Sequence, residues 1–221
     1  MKYFILNYIK GALGESGECC KNNYDFENAC EVCGTGAKLI GKLRTKGLSK
    51  IKKDFFETLD GDIIISKRLY EELVKEKIRL NDIKNIVDFK NRDLPFFHLS
   101  SLLTLPPVTE KEGLVTEGQC SSCKRNGYFN KAIIGNKERN IPTQVFTIGL
   151  HYSKINANFL ELGDFFHTWE CIGLSNRIAY GNYVIRYARP LLIVNERLKT
   201  ALQKLKISGL DFEQIEFNLL E

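Results

Sequence analysis

The chain holds no apolar run that approaches the roughly 20 residues a helix needs to cross a bilayer, so no membrane-spanning helix is expected. It lacks a glycine-rich phosphate-binding loop, which removes the common nucleotide-binding signatures. Glycine and proline are sparse, at 17 and 5 of 221 residues, and aromatic residues are plentiful, so the composition is that of a globular chain and not a disordered one. Neither sign of charge dominates. The net charge of +5 permits an acidic partner or nucleic acid and demands neither. Histidine is scarce, and His98, His151 and His167 stand apart, without the spacing of metal ligands or of a nucleophile and its base. Each is expected at a core or edge position.

Cysteine is what the sequence does hold, seven in all. Four form two C-x-x-C pairs, Cys30/Cys33 in CEVCG and Cys120/Cys123 in CSSCK. Zinc favours four thiolates in a tetrahedron, and a two-residue gap lets one turn aim two sulfurs at the same ion. Gly34 after the first pair and Gly127 beyond the second would ease such turns. A site built from Cys30, Cys33, Cys120 and Cys123 would hold one Zn2+ per chain and tie the N-terminal region to the second half. With all four positions taken by sulfur it leaves no place for a catalytic water, so its expected role is structural. Two other readings of the thiols stay open, a redox pair and ordinary buried cysteines. Cys19 and Cys20 are adjacent and could replace a ligand, whereas Cys171 lies in an apolar stretch and is expected to pack.

The pairs open segments that resemble each other. Asp54-Phe55-Phe56 follows the first and Asp164-Phe165-Phe166 the second; Ile63-Ile64-Ile65-Ser66-Lys67-Arg68-Leu69 is answered by Leu192-Ile193-Val194-Asn195-Glu196-Arg197-Leu198. Three matches in one order point to an internal repeat, in which residues 63–87 and 192–216 should superpose. Each reads as a strand, a helix capped by Ser66 or Asn195, and a second strand, with Leu69, Leu73 and Ile78, or Leu198, Ala201, Leu202 and Leu205, as the buried helix face. Residues 2–9 read as a strand, too short and too polar for a secretion signal. Residues 95–99 read as extended and 109–119 as a polar loop, with further strands at 144–151 and 183–187. The expected class is α+β, mixed sheets with helices and a zinc-knuckle-like staple. The expected organisation is a single compact domain over 1–221, with halves near 1–108 and 109–221. Reduced thiols of this kind suit the cytoplasm.

Other chemistry is thin. Asp54 and Asp164 invite a paired-carboxylate reading, and an enzyme would gather them with His167 in a pocket; helix capping before an aromatic anchor is the plainer role. Lys42, Arg44, Lys46, Lys50, Lys52 and Lys53, with Lys124-Arg125, could meet phosphates, although no RNA-binding aromatic signature accompanies them.

CEVCG, CSSCKRNGYF and the closing RPLLIVNERLKTALQKLKISGLDFEQIEF together resemble the double-CXXCG-motif proteins, a paralogous family of myxobacteria. The closing strand, Arg-Leu helix and GLDF segment are also similar to immunity proteins of bacterial polymorphic toxin systems. The resemblance covers most of the chain and implies Cys30, Cys33, Cys120 and Cys123 as the motif cysteines. Lys124 stands where the second motif would have its glycine. What it implies is a non-enzymatic immunity protein that binds and neutralises one cognate protein toxin, with no membrane and no small-molecule substrate. A zinc-containing nucleic-acid-binding protein is the alternative.

Overall fold

Two β-sheets, of eight and five strands, carry most of the chain in this computed structural model, which describes residues 1–111, 114–115, 119–129, 132–133, 144–145, 149–155, 157–172 and 188–219. The first part forms β1 (Tyr3–Tyr8), the short hairpin of β2 (Tyr24–Asp25) and β3 (Lys38–Leu39), then β4 (Leu43–Thr45), β5 (Phe55–Glu57), β6 (Ile63–Ser66), α1 (Lys67–Lys75), β7 (Asp82–Asp88) and β8 (Asp93–Ser100). The second forms β9 (Glu110–Lys111), β10 (Leu114–Val115), β11 (Asn126–Phe129), β12 (Ala132–Ile133), β13 (Gln144–Val145), β14 (Leu150–Ile155), α2 (Ala157–Leu160), β15 (Phe165–Ile172), β16 (Arg189–Asn195), α3 (Glu196–Lys204) and β17 (Leu210–Leu219). The class is α+β with sheet predominating. No helix among the described residues is long and apolar enough to cross a membrane.

The five-stranded sheet runs β4-β7-β8-β6-β5, and the middle of the larger sheet runs β14-β17-β1-β16-β15. In both, the first pair is parallel and the others antiparallel. The N-terminal β1 therefore occupies in one array the place that β8 occupies in the other. Registers agree as well. Phe55 and Phe56 face Ile65 and Ile64, while Phe165 and Phe166 face Val194 and Ile193.

Alternation explains the Phe-Phe pairs. Successive strand residues point to opposite faces, so Phe55 and Phe165 enter one core while Phe56 and Phe166 enter the outer cores of the two sheets. All four are essentially inaccessible, and each contributes about 2–3 kcal/mol by the usual area argument. The central core gathers Phe55, Ile65, Phe165 and Val194 with Leu69 and Leu73 of α1 and Leu198 and Leu202 of α3.

The helices start and stop alike. Ser66 and Asn195 adopt extended backbone and accept from the amides of Leu69 and Leu198, satisfying one of the orphan donors of a helix start. Lys77 and Lys206 then turn left-handed, with φ of 55° each, and Ile78 and Ile207 donate back to Leu73 and Leu202, the Schellman pattern that ends a helix.

Several expectations shift. The region 109–119 contains β9 and β10, because Glu110 and Lys111 pair with His151 and Leu150, and Leu114 and Val115 with Phe129 and Tyr128; ladder pairing overrides polar composition there. The strand expected at 144–151 is split between β13 and β14, and 183–187 lies outside the described residues. Leu205 is only partly buried, at the end of its helix.

Candidate metal centre

Each C-x-x-C forms a tight knuckle closed by the same backbone bond. Gly34 N–H donates to Cys30 O at 2.8 Å, and Lys124 N–H to Cys120 O at 3.0 Å. Both closing residues are left-handed, at φ 75° for Gly34 and 54° for Lys124. The first knuckle sits in the connection between β2 and β3. The second immediately precedes β11, held by Cys120 N–H to Asn126 Oδ1 at 3.0 Å and by Cys171 N–H to Arg125 O at 2.8 Å. The Arg125 side chain adds a bond to Trp169 O at 3.0 Å and lies 5.2 Å above that indole ring.

The two knuckles meet. The four Sγ atoms lie within 4.8 Å of one another, with Cys30–Cys120 at 3.9 Å and Cys33–Cys123 at 3.7 Å. Zinc–sulfur bonds of about 2.3 Å put the edges of a ZnS4 tetrahedron near 3.8 Å, so spacing and donor set fit zinc. These short contacts run between the motifs, as one shared site requires. All four cysteines are free thiols, with Cys33 buried and the others half-buried.

Local electrostatics suit a cation. Burial opposes ionisation of Cys30, but N–H groups of Cys33 and Val32 and the neighbouring thiols outweigh it and bring its pKa down to about 6. Burial and then the neighbouring Cys33 push Cys123 up to about 12, and burial also raises Cys33. Without a cation the cluster resists carrying several negative charges. A divalent ion held by the four sulfurs would remove that obstacle and displace the remaining protons.

The remaining cysteines lie apart from this cluster. Cys19 is exposed and Cys20 buried, their sulfurs 3.7 Å from each other, and Cys171 is buried, as its apolar setting implied.

Asp54 and Asp164 precede strands and do not cap helices themselves; they hold the residues that do. Ser66 Oγ donates to Asp54 at 2.6 Å and Asn195 Nδ2 to Asp164 at 2.8 Å. Arg68 grips Asp54, while Asp164 also accepts the Arg79 amide at 2.6 Å, with the guanidinium groups of Arg79 and Arg197 at 3.5 and 3.8 Å. Both carboxylates are thereby engaged separately, each at its own helix start. In the basic run, Lys42 pairs with Asp93 at 2.6 Å, Arg44 reaches Asn91 at 3.2 Å and Lys53 reaches the Tyr8 hydroxyl at 3.1 Å. His151 lies 3.3 Å from the exposed Glu216.

Sequence reasoning missed a buried polar group around Asp62. Arg189 holds both of its oxygens at 3.0 and 3.1 Å, Ser16 donates at 2.5 Å, and His98 Nε2 lies 3.4 Å away. Burial opposes the Asp62 charge, but Arg189 and His98 outweigh it and hold the carboxyl well below the usual range. Asp62 follows Gly61 in an ordinary turn sequence and Arg189 is 127 residues away, so no local pattern marked the pair. None of the protein-family models and none of the curated proteins compared with the chain matches it.

Proposed function

We propose that this protein is a non-enzymatic immunity protein that binds and neutralises a cognate bacterial toxin in the cytoplasm of the producing cell, its fold stapled by one structural Zn2+ on Cys30, Cys33, Cys120 and Cys123. The observation that carries the reading is the closed four-thiol cluster, formed at the motif positions that the resemblance names. Four sulfurs fill a tetrahedral ion's coordination, so the metal serves as a brace and leaves no open position for a reacting water. An inhibitor works by presenting a stiff complementary surface, and a cross-link between two sheet-bearing halves supplies stiffness. We also read the shared strand order and register of the two arrays as an internal duplication, with β1 completing the second copy.

Two measurements test this. The protein is expressed with its neighbouring open reading frames, in a growth assay. Rescue of a toxic neighbour together with a stoichiometric complex supports the reading, whereas a nucleic acid that co-purifies and dissociates steeply with salt favours a nucleic-acid-binding role. Metal analysis should give one zinc per chain, and unchanged metal content and melting in Cys30→Ser would rule the staple out.

A further inference from the structure

Two residues of the basic run, Lys42 and Arg44, line an open pocket of about 340 Å³ at the β4 edge of the five-stranded sheet. Lys21 and Asn23 join them from the loop before β2, and Asn91 from the turn between β7 and β8. None of the described lining residues is acidic or aromatic, and only Ile40 and Val87 are apolar. The pocket is therefore a polar one with a surplus of cations.

Arg44 is held firmly by its backbone and loosely by its side chain. Buried Asn22 accepts from the Arg44 amide at 2.7 Å, donates to its carbonyl at 2.9 Å and gives a further bond to Ser16 O at 2.8 Å, which closes the edge of β4. The guanidinium makes one bond, Nη2 to Asn91 Oδ1 at 3.2 Å, and has no carboxylate partner among the described residues. Its planar fork of five donors nevertheless matches the oxygens of a carboxylate or phosphate. Neighbouring cations are neutralised: Lys42 holds Asp93 and Arg92 holds Asp88, each at 2.6 Å. Lys21, by contrast, is exposed on a left-handed backbone with φ of 54°, and its side chain has no partner among the described residues. Two uncompensated cations thus share one pocket. Asn91 spends its Oδ1 on Arg44 and keeps its side-chain N–H groups, while Asn23 engages only its backbone, which accepts from the Ile40 amide at 2.9 Å.

We infer that this pocket binds a small phosphate monoester with a hydroxyl-rich body, of the sugar-phosphate class. The phosphate oxygens accept from the unused donors of Arg44 and from the Lys21 ammonium, charge-assisted bonds that outweigh neutral ones. Hydroxyls of the body meet the side-chain amides of Asn23 and Asn91. A single-stranded nucleic acid is the poorer fit, because the described lining holds no aromatic ring on which a base would stack. The site goes beyond the proposed toxin binding and does not depend on it.

Calorimetric titration of the full chain with glucose 6-phosphate, inorganic phosphate and glucose tests the proposal. The ester should bind with a dissociation constant of about 1 mM or tighter, inorganic phosphate about tenfold more weakly for want of the hydroxyl bonds, and glucose without measurable heat. Arg44→Met should weaken the ester about tenfold or more, and Lys21→Met about threefold or more, as loss of a charged donor implies. No heat from the ester at about 10 mM, some tenfold above the expected dissociation constant, would overturn the proposal. So would inorganic phosphate binding as tightly as the ester, or both variants binding it like the wild type. An oligouridylate that binds more tightly than the ester would reassign the pocket to single-stranded RNA and overturn it as well. Lys21→Met removes a side chain without a partner in the fold, so it decides the matter even if Arg44→Met fails to fold.

Discussion

The two five-strand arrays share strand order, direction and register, yet their matched aspartates lie at different depths. Asp54 keeps a side-chain exposure of 27%, and its arginine, Arg68, is more exposed still. Asp164 is 1% exposed and takes its partners from both arrays: Asn195 and Arg197 from its own, and the amide and guanidinium of Arg79 from the other. One local design, an aspartate steadying a helix cap, thus remains a surface brace in the first array and becomes a joint between arrays in the second. Position in the assembly, and not the motif, sets the energetic weight of the residue.

The largest expected effect acts outside both arrays, at the cluster where the two knuckles meet. Because the two knuckles come from distant sequence, removing the proposed Zn2+ with a strong chelator should cost ~5 kcal/mol or more of stability, in line with the coupling of zinc binding to folding. Calorimetric melting before and after chelation, with zinc restored as control, measures it. Next comes the aspartate pair itself. Asp164→Ala leaves the Arg79 N–H and the Asn195 side-chain amide without their acceptor in a buried gap and should cost about 2–4 kcal/mol. Asp54→Ala, exposed and screened, should cost about 0.5–1 kcal/mol. Denaturant melts of the two variants side by side give the contrast, and equal losses would refute the assignment of different depths.

Acid should find the second array before the first. His167 stands where the first array has Glu57, each opposite the start of the matched run at Leu192 and Ile63. Burial, reinforced by His98 and Arg189, lowers its pKa from 6.5 to about 3. The unfolded chain therefore takes up a proton that the folded chain refuses, so stability is full above about pH 6.5 and falls as pH drops toward about 3. Asp54 and Asp62 act lower. Both carboxyls are held below their ordinary value, Asp54 chiefly by its Arg68 bond and Asp62 by Arg189 and His98 against the opposing effect of burial. Their contribution is present above about pH 3.9 and is lost as pH falls through the folded values. His167→Gln should flatten stability between pH 6.5 and 4, measured by urea melts at each pH, without altering the steeper loss below.

Much of the four-thiol cluster was legible in sequence because its chemistry is local. A two-residue gap between cysteines already describes a turn, and Cys30, Cys33, Cys120 and Cys123 converge as that spacing implied. Ser66 and Asn195 were legible as caps for the same reason. The placement of β1 was not. A short apolar stretch at 2–9 says strand, but nothing in it says that its neighbours are β16 and β17, almost the whole chain away. Asp62 and Arg189 were hidden likewise, since their pairing exists only once two sheets come together. The aspartates of the DFF segments misled: they were expected to cap helices, but each precedes a strand and instead accepts a bond from the residue that does cap, Ser66 or Asn195.

The smallest effect sharpens the comparison at the knuckles. Gly34 and Lys124 close equivalent turns with the same left-handed backbone, but only glycine adopts it without steric cost; a side chain there costs roughly 1 kcal/mol. Lys124→Gly should therefore stabilise the protein by about 0.5 kcal/mol, the gain reduced because glycine also loosens the unfolded chain. Gly34→Lys should destabilise by a similar amount through the same geometry. A melt shifted upward in the first variant and downward in the second makes the two knuckles conformational equals that differ only in what their fifth residue costs. A downward shift in Lys124→Gly would instead mean that the lysine side chain contributes contacts worth more than the strain, and that the second knuckle is not a plain copy of the first.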